Sequence, residues 1–328
     1  MKIIIPAAGQ GTRLRPHTHT IPKVMLPVAG RPIIGHILAD VARLEPEEVR
    51  LVVGYQGERV EHYAREAFPD MPLRIVWQQE RLGLGHAVQQ ALDEGDHDSA
   101  LIVLGDTVFD VDYAAVVAHR EHALGVRRVP DPERFGIVEL DPDGEHIVRL
   151  VEKPKEPPSD LALVGLYWIR DGEKLRAAIA GLVEGGLRTR GEYQLTDALQ
   201  AMIDAGERFV AFPIGEWFDC GKPETLLETN RQLLDRRGGT SRDDWLRSTI
   251  VPPVHLDEGC VIENAVVGPH VSLARGATVR DAVVRNSIIA ENAVVEGMVL
   301  ERSIIGPDVR VKRRPAVLNL GNGSEIEW

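Results

Sequence analysis

The sequence offers little sulfur. Its two cysteines, Cys220 and Cys260, lie far apart and outside any CxxC spacing. Neither a zinc site nor a disulfide framework is suggested, and a reducing, cytoplasmic setting is expected. No apolar run reaches the ~18 residues that a membrane-spanning helix needs. The amino terminus, Met1 to Gly11, has one lysine and a short apolar run; it is too short for a signal peptide and reads as a buried strand. Basic charge is also scarce, with 38 Lys and Arg against 50 Asp and Glu and a net charge of -12 at pH 7. Such a balance repels a nucleic acid polymer, although a small anion needs only a local positive pocket. Neither HExxH spacing nor a Ser-His-Asp order occurs, so hydrolase chemistry has no support.

What is present falls into two textures. Residues 1 to about 235 alternate strand-like and helix-like segments. Strands are expected at Lys2–Pro6, Val49–Val53, Leu73–Trp77, Ala100–Leu104, Ile137–Leu140, Leu163–Ile169 and Phe209–Pro213. Helical patterns cover Pro32–Leu44, Gly57–Ala67, Leu84–Asp93 and Tyr193–Ala205. This alternation predicts an α/β domain over 1–235: a Rossmann-like, mainly parallel sheet with helices on both faces. A polar, Gly-containing stretch over 236–248 reads as a linker. In 249–328 aliphatic residues recur every five or six positions, at Ile250, Leu256, Ile262, Val267, Leu273, Val279, Val284, Ile289, Val295, Leu300, Ile305 and Val311. That is the hexapeptide rhythm of a short parallel β-helix.

The chemistry concentrates in the first texture. Directly after the first strand comes Ala7-Ala8-Gly9-Gln10-Gly11-Thr12-Arg13-Leu14-Arg15-Pro16, and Lys23 follows. Gly9 and Gly11 let backbone approach a ligand, and the N–H groups of such a turn bind phosphate. Arg13, Arg15 and Lys23 add the cations that a polyphosphate requires. The turn is not a Walker A loop, since it lacks GK[ST]. Asp106 ends a strand at the carboxyl edge of the sheet, where ligands sit in open α/β folds. Asp219 stands between Phe218 and Gly221, a setting unusual for an exposed carboxylate. Together the two would bind Mg²⁺; singly, each reads equally as a turn or cap residue. Gln78 carries a donor and an acceptor for a base edge, a role that Gln79 could also claim. Glu152-Lys153 offers a hydroxyl acceptor beside a phosphate-binding cation, or simply a solvated pair. Arg190 is either a phosphate contact or a surface residue.

The string from Gly9 through Lys23 to Pro32 resembles the sugar-1-phosphate nucleotidylyltransferases. Further motifs follow in that family's order: Gln78 with Gly83-Leu84-Gly85-His86-Ala87, Gly105-Asp106-Thr107, Gly136 after Phe135, Glu152-Lys153-Pro154, Gly165-Leu166-Tyr167, Glu192 with Thr196-Asp197, and Trp217-Phe218-Asp219-Cys220-Gly221. The resemblance covers residues 1 to about 235 and a long-form subset with a C-terminal hexapeptide β-helix, which it implies to be left-handed. It implies transfer of a nucleotidyl group from a nucleoside triphosphate, dTTP or UTP, to a sugar 1-phosphate such as glucose 1-phosphate. It implies Arg13, Lys23, Asp106 and Asp219 as catalytic residues, with Mg²⁺ on the two aspartates. Nucleotide binding falls to Ala8, Gly9, Gly11, Thr12, Arg13, Gln78 and Gly83, and sugar-phosphate binding to Gly136, Glu152, Lys153 and Gly165. Mannose-1-phosphate guanylyl transfer, or a non-catalytic regulatory subunit of the same fold, remains open at this point. Thr107, Val24 and Cys220 depart from the family pattern without removing a charge. The β-helix is expected to serve homo-oligomer assembly and not acyl transfer, because its histidines, His255 and His270, show no carboxylate partner in sequence.

Overall fold

The computed structural model describes residues 1–95, 97–237, 245 and 247–313. The chain divides into two compact units, one of Met1–Pro27 with Arg31–Leu226, the other of Val28–Gly30 with the chain from Leu227 onward. Most of the expected linker over 236–248 lies outside the described residues, as do residues 314–328 of the expected third segment.

In chain order the first texture gives β1 (Lys2–Pro6), the short strands β2 (Pro27–Val28) and β3 (Arg31–Pro32), α1 (Ile33–Val41), β4 (Glu48–Val53), α2 (Gly57–Ala67), β5 (Leu73–Trp77), α3 (Leu84–Gln90) and β6 (Ala100–Val103). Then come β7 (Thr107–Asp110), α4 (Tyr113–Val117), β8 (His122–Arg128), β9 (Gly136–Leu140), β10 (Ile147–Glu152), β11 (Leu161–Ile169), α5 (Gly172–Glu184), α6 (Leu195–Asp204), β12 (Phe209–Pro213), β13 (Glu216–Asp219) and α7 (Pro223–Arg237).

Among the described residues, nine strands form one sheet in the order β10-β9-β11-β6-β1-β4-β5, with β8 on β11 and β12 on β8. Ile3, Ile4 and Ile5 of β1 are fully buried, because parallel neighbours β4 and β6 flank the strand and helices cover the sheet. The sheet is mixed. Its β1, β4, β5 and β6 side is parallel, as the alternation predicts, whereas β11 runs antiparallel to β6, β8 and β9. The cause is local at β9 and β10: no helix intervenes, and Asp141 closes the turn by accepting from the Glu145 and His146 N–H groups. Helices α4 and α5 begin at Asp112 and Asp171, whose carboxylates accept two backbone N–H groups each.

Among the described residues of the second unit, twelve strands run from β14 (Thr249–Ile250) to β25 (Arg310–Lys312) and stack into three four-stranded parallel sheets. The twelve aliphatic positions of the sequence rhythm each fall in one strand. They stack in three columns, Ile250-Val267-Val284-Leu300, Leu256-Leu273-Ile289-Ile305 and Ile262-Val279-Val295-Val311. This is a four-coil, three-sided arrangement consistent with a left-handed β-helix. Val267, Leu273, Val279, Val284, Ile289 and Val295 in the middle coils are fully buried. Left-handed backbone at corner residues such as Asn264 and Asp281 turns the chain, and the Asn264 amide donates to the Asp281 carboxylate one coil on.

Asn230 on α7, 1% exposed, belongs to this unit. Its Oδ1 accepts from Ala29 N–H at 2.9 Å and Ser272 Oγ at 2.7 Å, and its amide donates to the His270 carbonyl. The structure adds a contact that the sequence does not show. His270 has a carboxylate partner, Asp235 Oδ1 at 2.8 Å, which sequence spacing conceals because it sits on α7 and not on the repeats.

Candidate active site

The carboxyl ends of β1 and β6 open beside each other. Ala7 N–H donates to Val52 O, and Gly105 N–H to Pro6 O. After β1 the chain enters a turn where Gly11 is left-handed at φ 62°. A Cβ there would stand 2.7 Å from Lys23 Cβ, so glycine lets the Lys23 stem pass beneath the turn. Thr18 secures the turn by donating its hydroxyl to the Gly11 carbonyl. A cleft of about 390 Å³ opens here, and its walls include Ala8, Gly9, Lys23, Gln78, Gly83 and Asp106. Thr12 and Arg13 lie exposed on a 3-10 turn after Gly11.

Lys23 is buried, and its Nζ lies 2.5 Å from Asp106 Oδ2. Thr107 Oγ1 donates to the other carboxylate oxygen at 3.2 Å. Burial alone would raise the Asp106 pKa. The charge and hydrogen bond of Lys23, with the Thr107 hydrogen bond, hold it below the ordinary carboxylate value instead.

Asp219 arrives from far along the chain. β7 and β13 pair antiparallel with Thr107 opposite Asp219, and Cys220 N–H donates to the Asp106 carbonyl. The pairing sets the two aspartates side by side. Burial, with the Asp106 charge adding to it, raises the Asp219 pKa, while Lys23 and Arg13 act against the rise. A Cβ on Gly221 would meet Asp219 Oδ1 at 2.8 Å and Arg13 Nη2 at 3.3 Å, so Gly221 keeps this corner open.

The donor set fits a hard divalent cation. Two carboxylates converge and one is reluctant to ionise alone, a penalty that a cation relieves. Among the described residues no group of three or more His, Cys, Asp or Glu could hold a metal, so substrate oxygens and water would complete the shell, as is usual for Mg²⁺.

A second group forms where β9, β10, β11 and α6 meet. Glu152, with a side chain 7% exposed, takes the Lys153 ammonium on Oε1 at 2.7 Å and the Thr196 hydroxyl on Oε2 at 2.8 Å. A Cβ on Gly136 would stand 3.1 Å from both Glu152 Oε2 and Thr196 Oγ1. Lys153 takes left-handed backbone at φ 43°, and Arg190 donates to its carbonyl at 2.8 Å. Gly165, at φ 95°, packs on Leu104, which lines the cleft. Tyr167 links the groups: burial raises its pKa, and the Glu152 and Asp106 charges both add to the rise.

Sequence reasoning singles out the carboxylates and cations but assigns no role to Thr107, Thr196 or His86. Each stands inside a quoted motif, next to an expected site residue in sequence or in space; that adjacency is the only signal the sequence carries for them.

A Gly-rich turn after β1, paired carboxylates at the sheet's carboxyl edge and an adjoining cleft define an α/β domain with an open site at that edge. The model of the nucleotidyl transferase family matches residues 2–236, and the chain belongs to that family. It is 38% identical over 242 residues to the bifunctional protein GlmU of Methanococcus maripaludis strain S2, covering 72% of this chain and 55% of that protein; it thus spans about half the length of that relative. It is 34% identical to glucose-1-phosphate thymidylyltransferase of Streptomyces griseus, covering 83% of this chain and 77% of that one. Among solved structures, UDP-glucose pyrophosphorylase complexed with UDP-glucose superposes with a TM-score of 0.63 at 26% identity, over 72% of this chain and 99% of that one.

Proposed function

We propose that the chain transfers a nucleotidyl group from dTTP or UTP to a sugar 1-phosphate, glucose 1-phosphate first among them, releasing pyrophosphate. The observation that carries this reading is the convergence of Lys23, Arg13, Asp106 and Asp219 on one corner of the first unit, beside a cleft walled by Gln78 and Gly83. The likeness to the thymidylyltransferase of Streptomyces griseus and to the UDP-glucose pyrophosphorylase structure supports the choice of base.

A phosphate monoester is largely dianionic at neutral pH, its second pKa being about 6. Its oxygen needs no general base to attack the α-phosphorus. The new O–P bond forms as the bond to the β-phosphate oxygen breaks, and pyrophosphate leaves with that electron pair. The protein's work is to align two anions and offset their repulsion. Arg13 and Lys23 face the triphosphate. Lys153, held by Glu152, takes the acceptor phosphate, and Glu152 takes sugar hydroxyls in the geometry that Thr196 fixes. Magnesium on Asp106 and Asp219 would supply further positive charge at the reacting phosphates.

We take residues 1–235 as the catalytic segment, the β-helix as an assembly element for a homo-oligomer, and the cytoplasm as the setting. No described helix is long and apolar enough to cross a membrane. The test of activity is pyrophosphate release with Mg²⁺, four nucleoside triphosphates and a panel of sugar 1-phosphates. Release with dTTP or UTP and glucose 1-phosphate is expected; no release with any pair would overturn the reading.

A further inference from the structure

Gln78 is 7% exposed and lines the cleft, so its amide is a buried polar group within reach of a base there. The sequence suggests that it offers both a donor and an acceptor. The structure leaves it one. Gln78 Nε2 donates to the Gly83 carbonyl at 3.2 Å and lies 3.1 Å from His86 Nδ1. The Gly83 carbonyl can only accept, so the amide nitrogen must face it. Gly83 is itself pinned. Its backbone sits at φ 116°, a Cβ there would stand 2.6 Å from the Tyr193 carbonyl, and its own carbonyl also accepts from Ala87 N–H. With both amide hydrogens engaged, Oε1 is the atom left for a ligand.

We infer that His86 is a specificity-determining positioning residue: its neutral ring, accepting from Gln78 at Nδ1, locks the Gln78 amide with Oε1 toward the base. The site then selects a base whose ring nitrogen bears hydrogen and rejects one whose ring nitrogen is bare. Uracil and thymine carry N3–H; cytosine presents an unprotonated N3, and against Oε1 that pairs two acceptors. This deepens the proposed function and rests on it for the identity of the cleft.

The surroundings of His86 favour the neutral ring. Burial lowers its pKa from the ordinary 6.5, against the Glu80 charge and a hydrogen bond with Glu80 backbone. Glu80 is the charged group acting on the ring. The Gln90 amide, 3.5 Å from Nε2, is exposed and can turn either end toward the ring. Protonation would make both ring nitrogens donors, and the Gln78 amide would have to turn its oxygen inward.

The experiment compares UTP with CTP, two bases of one size, by turnover and by equilibrium dialysis. In His86→Leu the UTP preference should fall about tenfold or more, the worth of one hydrogen bond set against a mismatched acceptor. His86→Asn, which keeps an acceptor near the Nδ1 position, should restore most of it, and kcat with UTP and the KM for sugar phosphate should hold. Wild-type protein gives a measurement independent of variant folding: its UTP preference should be flat above pH 7 and decline below the ordinary histidine range. An equal loss for both nucleotides in His86→Leu, or no recovery of the preference in His86→Asn, would overturn the inference. A UTP preference in dialysis with no turnover of any triphosphate would instead overturn the proposed activity and leave this inference standing.

Discussion

The Lys23 ammonium stands 2.5 Å from the Asp106 carboxylate with only 7% of the lysine side chain exposed, against 38% for the aspartate. Removing one partner leaves a charge facing a poorly solvated space. Lys23→Met should cost about 1–2 kcal/mol at pH 7, less than for a fully buried pair because water still reaches Asp106. The double variant Lys23→Met/Asp106→Asn should recover most of that loss. Urea unfolding of the two variants checks it, and no recovery in the double variant would show that the pair is not coupled.

Asp106→Asn and Asp219→Asn should each abolish turnover while leaving the fold intact. Gly221→Ala should act through geometry alone, since the new Cβ would stand 2.8 Å from Asp219 Oδ1. Circular dichroism reports the fold, and Mg²⁺ titration of pyrophosphate release reports the site. Near-normal Mg²⁺-dependent rates in both Asn variants would remove the two-carboxylate site.

Lys153→Ala should raise the KM for sugar phosphate far more than that for triphosphate. Loss of a charge-assisted hydrogen bond is worth roughly 1.5–3 kcal/mol, or about 10- to 100-fold. The methyl group inherits the same left-handed backbone, so stability should change little. Steady-state kinetics with each substrate varied in turn decide it; equal effects on both would reassign the lysine.

His122 stacks on Phe209 at 4.5 Å, accepts from Arg170 N–H at Nδ1, and lies 3.3 Å from Glu207 through Nε2. Burial lowers its pKa in the folded state despite Glu207. The unfolded chain therefore binds the proton first as pH falls. The contribution of this ring to stability is complete above about 6.5 and is lost as pH drops through the folded value. Urea midpoints at pH 7.5 and 5 should fall further apart in the wild type than in His122→Asn. Parallel losses in the two proteins would contradict the assignment.

Deleting residues 248–328 should change oligomeric state or solubility. It uncovers Asn230, which is 1% exposed and loses its Ser272 and His270 partners. Light scattering on the full-length and shortened chains gives the answer, and an unchanged oligomer would refute the assembly role.

Legibility in the sequence followed the range of the interactions. Each β-helix column repeats a local pattern, so its twelve inward positions could be read directly, Ile250 to Val311. The parallel side of the sheet was legible for a similar reason, because its buried strands are continuous aliphatic runs such as Ile3-Ile4-Ile5. β8, His122-Ala-Leu-Gly-Val-Arg-Arg128, begins and ends on charged or polar residues and carries a glycine, so neither alternation nor an apolar run marks it. Asp106 and Asp219 each read singly as a turn or cap residue and stand out only through motif order, because the β7–β13 pairing that joins them links segments more than a hundred residues apart and leaves no periodic trace. The orientation of the Gln78 amide is likewise beyond sequence, since it depends on which groups His86 and Gly83 turn toward it.

The registers of the β-helix make its length a discrete quantity. Val267 lies beside Ile250 on one side and Val284 on the other, 17 residues away in each direction. Excising one such period would set Ile250 against Val284, aliphatic on aliphatic, and restore the ladder. Later coils repeat after 16 residues, as from Val284 to Leu300, and an excision that matches neither period would rotate inward residues outward along every later coil. Tolerated insertions and deletions in this part of the gene should therefore come in whole coils, with the catalytic motifs upstream untouched by the change.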